Sequence, residues 1–143
     1  MGLSNNIIRQ SYVIPADDFS LAGEASSSVK KMLNQLGVPP QTVKKVAIAM
    51  YEAEINAVIH AGGGTADVEI GKGKVVVVIS DEGPGIPDLE LAMKEGYSTA
   101  PDSIREMGFG AGMGLPNIKR YADKLDIKTE VGKGTSVEIT VFL

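Results

Sequence analysis

The segment YEAEINAVIHA, Tyr51 to Ala61, sets Glu52, Asn56 and His60 four residues apart. On a helix of about 100° per residue they cover roughly 80° of one face. Ile48, Ile55 and Ile59 share that face. Polar groups among isoleucines need partners, because unpaired burial is costly. A carboxylate one turn from an amide oxygen can take a proton, or orient a hydroxyl, beside an incoming phosphate. The amide oxygen is a hard ligand suited to Mg²⁺. A hydrogen-bonded helix–helix contact would use the same residues, so the spacing leaves both readings open. Glu54 falls roughly 160° from Glu52 and is expected at the helix margin or surface. His60, just before Gly62 to Gly64, suits the capping of helix-end carbonyls.

Two further segments bear on phosphate or base recognition. In SDEGPGI, Ser80 to Ile86, Asp81 follows an apolar run and precedes a tight turn. Such a carboxylate can accept from an exocyclic amine, and glycines let a flat ring approach the backbone. A plain acidic turn closed by an Asx hydrogen bond is the alternative. In MGFGAGMGL, glycines recur at every second position from Gly108 to Gly114. No register gives the dinucleotide fingerprint, no Gly-Lys pair is followed by Ser or Thr, and the kinase glycine-loop valine is missing. Small residues before a helix start still favour an anion, and a hinge is the other reading.

These segments need elements to hold them. NIIRQSYVIP reads as an edge strand ending at Pro15. LAGEASSSVKKMLNQLG puts Leu21, Ala25, Val29, Met32, Leu33 and Leu36 on one helical stripe, with Asp17, Asp18 and Ser20 as candidate caps. QTVKKVAIAMYEAEINAVIHAGGG is a second, largely apolar helix. ADVEIGKGKVVVVISDEG is a hairpin. DLELAMKEG reads as a short helix, YSTAPDSIREMGFGAG as a long loop, and LPNIKRYADKLD as a helix with Pro116 in its first turn. IKTEVGKGTSVEITVFL closes the chain as a second hairpin. The order β, α, α, β, β, short α, loop, α, β, β predicts an α+β two-layer sandwich. Its sheet is mixed and mostly antiparallel, with helices on one face.

Bulk composition narrows the function classes. A chain of 143 residues, 43% hydrophobic and 22% charged, suits one domain spanning 1–143. A net charge of -4 gives no basic footprint, so no direct nucleic-acid partner is expected. The absence of cysteine excludes disulfides, zinc–thiolate sites and thiol nucleophiles, and a single histidine excludes a multi-histidine metal site. The apolar run VVVVI is too short to span a bilayer, and no signal pattern opens the chain. MGLSNN lacks the Ser or Thr of a myristoylation site. A cytoplasmic protein without membrane attachment is expected.

In combination the motifs are more specific. Glu-x-x-x-Asn on a helix precedes Asp-x-Gly-x-Gly-Ile, then a loop ending Gly-x-Gly-x-Gly-Leu, then Gly134–Thr135. In this order they resemble the Bergerat ATP-binding fold of DNA gyrase, histidine kinases and mismatch-repair ATPases. YEAEINAVIHAGGG and DEGPGIPDLELAMKEGYSTAP resemble the small bacterial anti-sigma-factor serine/threonine kinases. The resemblance implies that Glu52 is the general base and that Asn56 coordinates Mg. It implies that Asp81 holds the adenine amine, with Gly85 and Thr135 completing a water-mediated pocket. Gly110, Gly112 and Gly114 would offer backbone N–H groups to the phosphates. Gly83, Ile86 and Leu115 would also line the nucleotide site, and residues 87–112 would form a lid. Arg105 is the nearest candidate for the lid arginine of that branch, with a solvated arginine as the alternative. Lys119 and Arg120 read as surface charges.

A length of 143 residues leaves no room for a phosphoacceptor or transducer domain, so a form that acts on, or binds, a separate partner is expected. The resemblance implies an ATP- and Mg-dependent kinase acting on an antagonist-type protein in partner switching. A nucleotide-dependent binding module that sequesters a sigma factor is the competing reading, and a homodimer fits either. Glu52 favours the kinase, because binding alone needs no base. A scaffold that binds no nucleotide is the third reading.

Overall fold

The computed structural model describes residues 7–15, 23–86, 93 and 114–143. Five strands form one sheet in the order β1-β2-β3-β5-β4. They are β1 (Ile8–Ile14), β2 (Gly64–Gly71), β3 (Lys74–Ser80), β4 (Lys124–Glu130) and β5 (Gly134–Phe142). The described helices are α1 (Glu24–Gln35), α2 (Pro40–Ala61) and α3 (Gly114–Tyr121). All four strand pairings are antiparallel, which corrects the expected mixed, mostly antiparallel sheet to a wholly antiparallel one. The expected two-layer α+β architecture is otherwise the one observed, and β1 is an edge strand as predicted.

Period-two patterning explains the sheet. Ala66, Val68 and Ile70 of β2, Val75, Val77 and Ile79 of β3, and Val137, Ile139 and Val141 of β5 are buried. The registers Val68↔Val77 and Val77↔Ile139 put them on one face. The central helix α2 covers that face, and α1 and α3 pack against α2. Burying each of the valines and isoleucines contributes roughly 1.5–3 kcal/mol. Val29 and Leu33 of α1 and Ile118 of α3 complete the core.

Two predicted helix boundaries are corrected. The first helix starts at Glu24 rather than near Leu21, behind the N-cap Gly23 at φ 95°. The candidate caps Asp17, Asp18 and Ser20 lie outside the described residues. The third helix stops at Tyr121, and KLD of the predicted helix begins β4. Pairing decides the matter: Leu125 and Ile127 sit opposite Ile139 and Val137. Asp123 marks the change of structure. Its N–H donates to the Thr140 carbonyl at 2.9 Å. Its carboxylate accepts from Lys45 Nζ at 2.6 Å and from Phe142 N–H at 2.7 Å.

Those bonds, the one from Lys45 first, hold the Asp123 carboxyl below the usual carboxylate range. A depressed folded pKa gives stability that is present above the unfolded value and lost as pH falls through the folded one. Urea unfolding between about pH 6 and pH 3 should therefore show a shallower acid loss for Asp123→Asn than for the wild type. Equal slopes would mean that the three-way contact contributes nothing.

Candidate functional site

Glu52, Asn56 and His60 lie along α2, as their spacing predicts, with Glu52 and Asn56 half-buried and His60 exposed. Burial pushes the Glu52 carboxyl above its ordinary range, and a side-chain hydrogen bond with Asn117 of α3 draws it part of the way back. Asn117 was not singled out from the sequence. Its only signal is its place one turn into the helix that follows the glycine loop. Partial burial lowers the His60 pKa, and the charge of Asp81 acts in the opposite sense. The C-terminal end of α2 therefore lies within electrostatic reach of the aspartate turn. Gly83 confirms the approach, since a Cβ there would stand 2.5 Å from the Ala61 methyl.

The aspartate turn is tied to the last two strands. Asp81 Oδ1 accepts from Gly83 N–H at 2.9 Å and from Thr135 N–H at 3.1 Å. The first of these is the Asx bond of a plain acidic turn. The second joins the turn to β5, and neither uses Oδ2. The Asp81 N–H in turn donates to the Thr135 carbonyl at 2.9 Å. Thr129 of β4 extends the network. Its hydroxyl accepts from Ile86 N–H at 2.8 Å and lies 2.9 Å from the Thr135 hydroxyl. Sequence reading missed Thr129, because only the register Thr129↔Thr135 reveals it. Gly85 has φ 79°, and a Cβ there would stand 2.5 Å from the Glu130 carbonyl oxygen, so the turn requires glycine.

The remaining predicted residues divide cleanly. Ile86 is half-buried against the core, Leu115 is buried in it, and Gly114 opens α3. Lys119 and Arg120 are exposed on α3. Gly110, Gly112, Arg105, the predicted short helix apart from Met93, and the lid over 87–112 apart from that residue lie outside the described residues. Glu54 corrects the sequence reading. It is buried at 1% exposure, not placed at the helix margin. The face of α2 opposite Glu52 is covered by α1, whose first backbone N–H groups bond to the Glu54 carboxylate.

The donor set bears on what could bind. Among the described residues no group of three His, Cys, Asp or Glu side chains could hold a metal ion. An ion held by Asn56 would need oxygens from a ligand and water, the usual state of Mg²⁺ beside phosphates. The Asp81 turn keeps a carboxylate oxygen clear of its own backbone bonds, which suits an amine donor. Among the described residues no helix is long and apolar enough to cross a membrane.

Comparison with known proteins agrees with this geometry. The chain is 29% identical over 118 residues to the serine/threonine-protein kinase RsbT of Bacillus subtilis (strain 168), covering 80% of this chain and 83% of that protein. It is 30% identical over 124 residues to an anti-sigma F factor of Thermoanaerobacter sp. (strain X514), covering 83% of each. Among solved structures, the SiaB–SiaC complex of Pseudomonas aeruginosa has a chain of the same fold. The TM-score is 0.61 at 15% identity, covering 92% of this chain and 88% of that one. The RsbU and RsbW domains of a Mycobacterium tuberculosis protein match with a TM-score of 0.63 at 15% identity, covering 97% of this chain and 33% of that one. The model of the histidine kinase-like ATPase domain matches residues 14–141, from the end of β1 to the last residues of β5. With a glutamate and an asparagine on its central helix and an aspartate turn bound to its last strand, the chain belongs to the histidine kinase-like ATPase domain family.

Proposed function

We propose that the protein is an ATP- and Mg-dependent serine/threonine protein kinase, a single domain over 1–143 that regulates a protein partner by partner switching. The observation that carries this reading is Glu52. It is a half-buried carboxylate with a raised pKa, held by Asn117 at the junction of α2 and α3. A site built only to bind nucleotide has no use for such a group, whereas proton abstraction does. The kinase name of the Bacillus subtilis relative supports the same activity.

In this reading Glu52 receives the proton of an acceptor Ser or Thr hydroxyl. The hydroxyl oxygen bonds to the γ-phosphorus as the bond to the β-phosphate oxygen breaks, and ADP leaves. Asn56 would contribute an oxygen to Mg, which supplies neutralisation of phosphate charge when bound. Asp81 would accept the adenine amine, and Gly83, Gly85, Ile86 and Thr135 would surround the ring. Gly114 and Leu115 at the start of α3 would offer backbone N–H groups to the phosphates, and Gly110 and Gly112, outside the described residues, would add theirs. Residues 87–112, outside the described residues apart from Met93, would form the nucleotide lid, with Arg105 as its candidate arginine.

The anti-sigma F relative favours a second reading, in which the nucleotide-bound form holds a sigma factor and transfer is slow. In both readings the protein acts in the cytoplasm, and a homodimer is compatible with either. Purified protein with radiolabelled Mg·ATP, added to extract of the source cell, should label one small protein on Ser or Thr. Asp81→Asn should abolish both this labelling and the rise in melting temperature given by Mg·ATP. Capture of a partner that depends on Mg·ATP but yields no labelled protein would favour the binding module.

A further inference from the structure

Glu54 has no part in the chemistry above, yet its burial demands an explanation. A carboxylate at 1% exposure persists only where hydrogen bonds replace its water. All its observed partners belong to the first turn of α1. Oε2 accepts from Gly23 N–H at 2.9 Å and from Ala25 N–H at 3.2 Å, and Oε1 accepts from Ser26 N–H at 3.1 Å. These are donors that a helix start leaves unpaired, and the positive end of the helix favours a carboxylate there. The helix cannot cap itself, because position 23 is glycine and makes no side-chain cap bond. Glu54 is thus an N-cap supplied from a neighbouring helix.

The turn held in this way is also a wall. A groove of about 430 Å³ runs between α1 and α2, with Gly23, Ser26 and Ser27 on one side and Ile48, Tyr51 and Glu52 on the other. The Tyr51 ring lies 3.0 Å from where a Cβ on Gly23 would stand, so the walls meet at that end. Glu54 therefore fixes the turn that lines one groove together with Tyr51 and Glu52. We propose that Glu54 is a positioning residue for the phosphoryl acceptor, clamping α1 to α2 so that the groove leads a hydroxyl to Glu52. The inference rests on reading Glu52 as the base, and it adds the route by which the acceptor arrives.

The test compares the wild type with Glu54→Gln and with Glu54→Asp at a temperature where all three are folded. Glu54→Gln turns one acceptor into a donor facing donors. Glu54→Asp keeps the charge but withdraws it by one methylene. Hydrogen exchange of the amides of Gly23, Ala25 and Ser26 should speed up by about tenfold or more in both variants, with β2 and β3 unchanged. Phosphoryl transfer is read as labelling of the small protein found in extract of the source cell. Its kcat should fall on the order of tenfold, with KM for Mg·ATP unchanged. A cap that served stability alone would lower the melting temperature and leave kcat intact at that temperature. Unchanged exchange, or faster exchange with unchanged kcat, overturns the proposal. A wild type that binds Mg·ATP but labels no protein overturns the kinase reading, and the positioning role with it. The exchange result would then leave Glu54 as a structural cap.

Discussion

Glu52→Gln is expected to lower phosphoryl transfer by about 10²- to 10⁴-fold, the usual worth of a general base, with Mg·ATP affinity retained. The substitution keeps side-chain volume and a hydrogen-bonding partner for Asn117, so the junction of α2 and α3 should hold. Stability should not fall at neutral pH. Burial raises the folded pKa of Glu52, so the native state keeps this proton to higher pH than the unfolded chain does. Stability is then full below the unfolded pKa and declines as pH rises through the folded one. At neutral pH the wild type carries that penalty and the glutamine variant does not. Its urea midpoint should be equal or higher. The wild-type rate should also climb with pH over a range above that of an ordinary glutamate, because only the carboxylate takes a proton. Transfer that survives in Glu52→Gln would remove the base from Glu52 and refute the assignment.

Glu54→Ala should be among the most destabilising single changes in α2, at about 3 kcal/mol. Hydrogen bonds to a charged acceptor contribute roughly 1.5–3 kcal/mol each, and three of them share this carboxylate. The sum is not reached, because ionised burial has its own cost and water can enter the space left behind. Replacement of an exposed strand glutamate such as Glu138 should cost within about 0.5 kcal/mol. Urea denaturation of both variants gives the comparison. A loss in Glu54→Ala no larger than that in Glu138→Ala would mean that the bonds to α1 are replaced by water at no cost.

The legible and illegible parts of this molecule differ in where their partners lie. The placement of Glu52, Asn56 and Asp81 could be read because a fixed spacing on one helix, or a turn beside one strand, defines it. The α+β layering followed from hairpins alternating with amphipathic helices, and the buried valines of β3 from an apolar run bounded by turns. Glu54 was misjudged although its angle from Glu52 was right. The surface inference assumed that α2 has a wet side, whereas α1 covers the side opposite the site. An acid on an otherwise apolar helix, together with a neighbouring helix that begins at glycine, was the available signal. Asn117 and Thr129 gained roles only through partners 65 and 43 residues away, Glu52 and Ile86. The end of α3 was misplaced because YADKLD has good helical composition, and only the cross-strand partners of Leu125 and Ile127 overrule it.

The strand order has a kinetic consequence. β5 is last in the chain yet lies between β3 and β4, and its Thr135 N–H closes the Asp81 turn. A chain emerging during synthesis can pair β1, β2 and β3 early, but it leaves an apolar strand edge open until β5 arrives. Long-range antiparallel closure of this kind is slow, and an exposed edge invites wrong pairing. The turn assigned to adenine is therefore one of the last parts to reach its native form. If a nucleotide binds there as proposed, it would recognise only chains whose sheet is complete, and its mass action would draw late folding intermediates toward the finished protein.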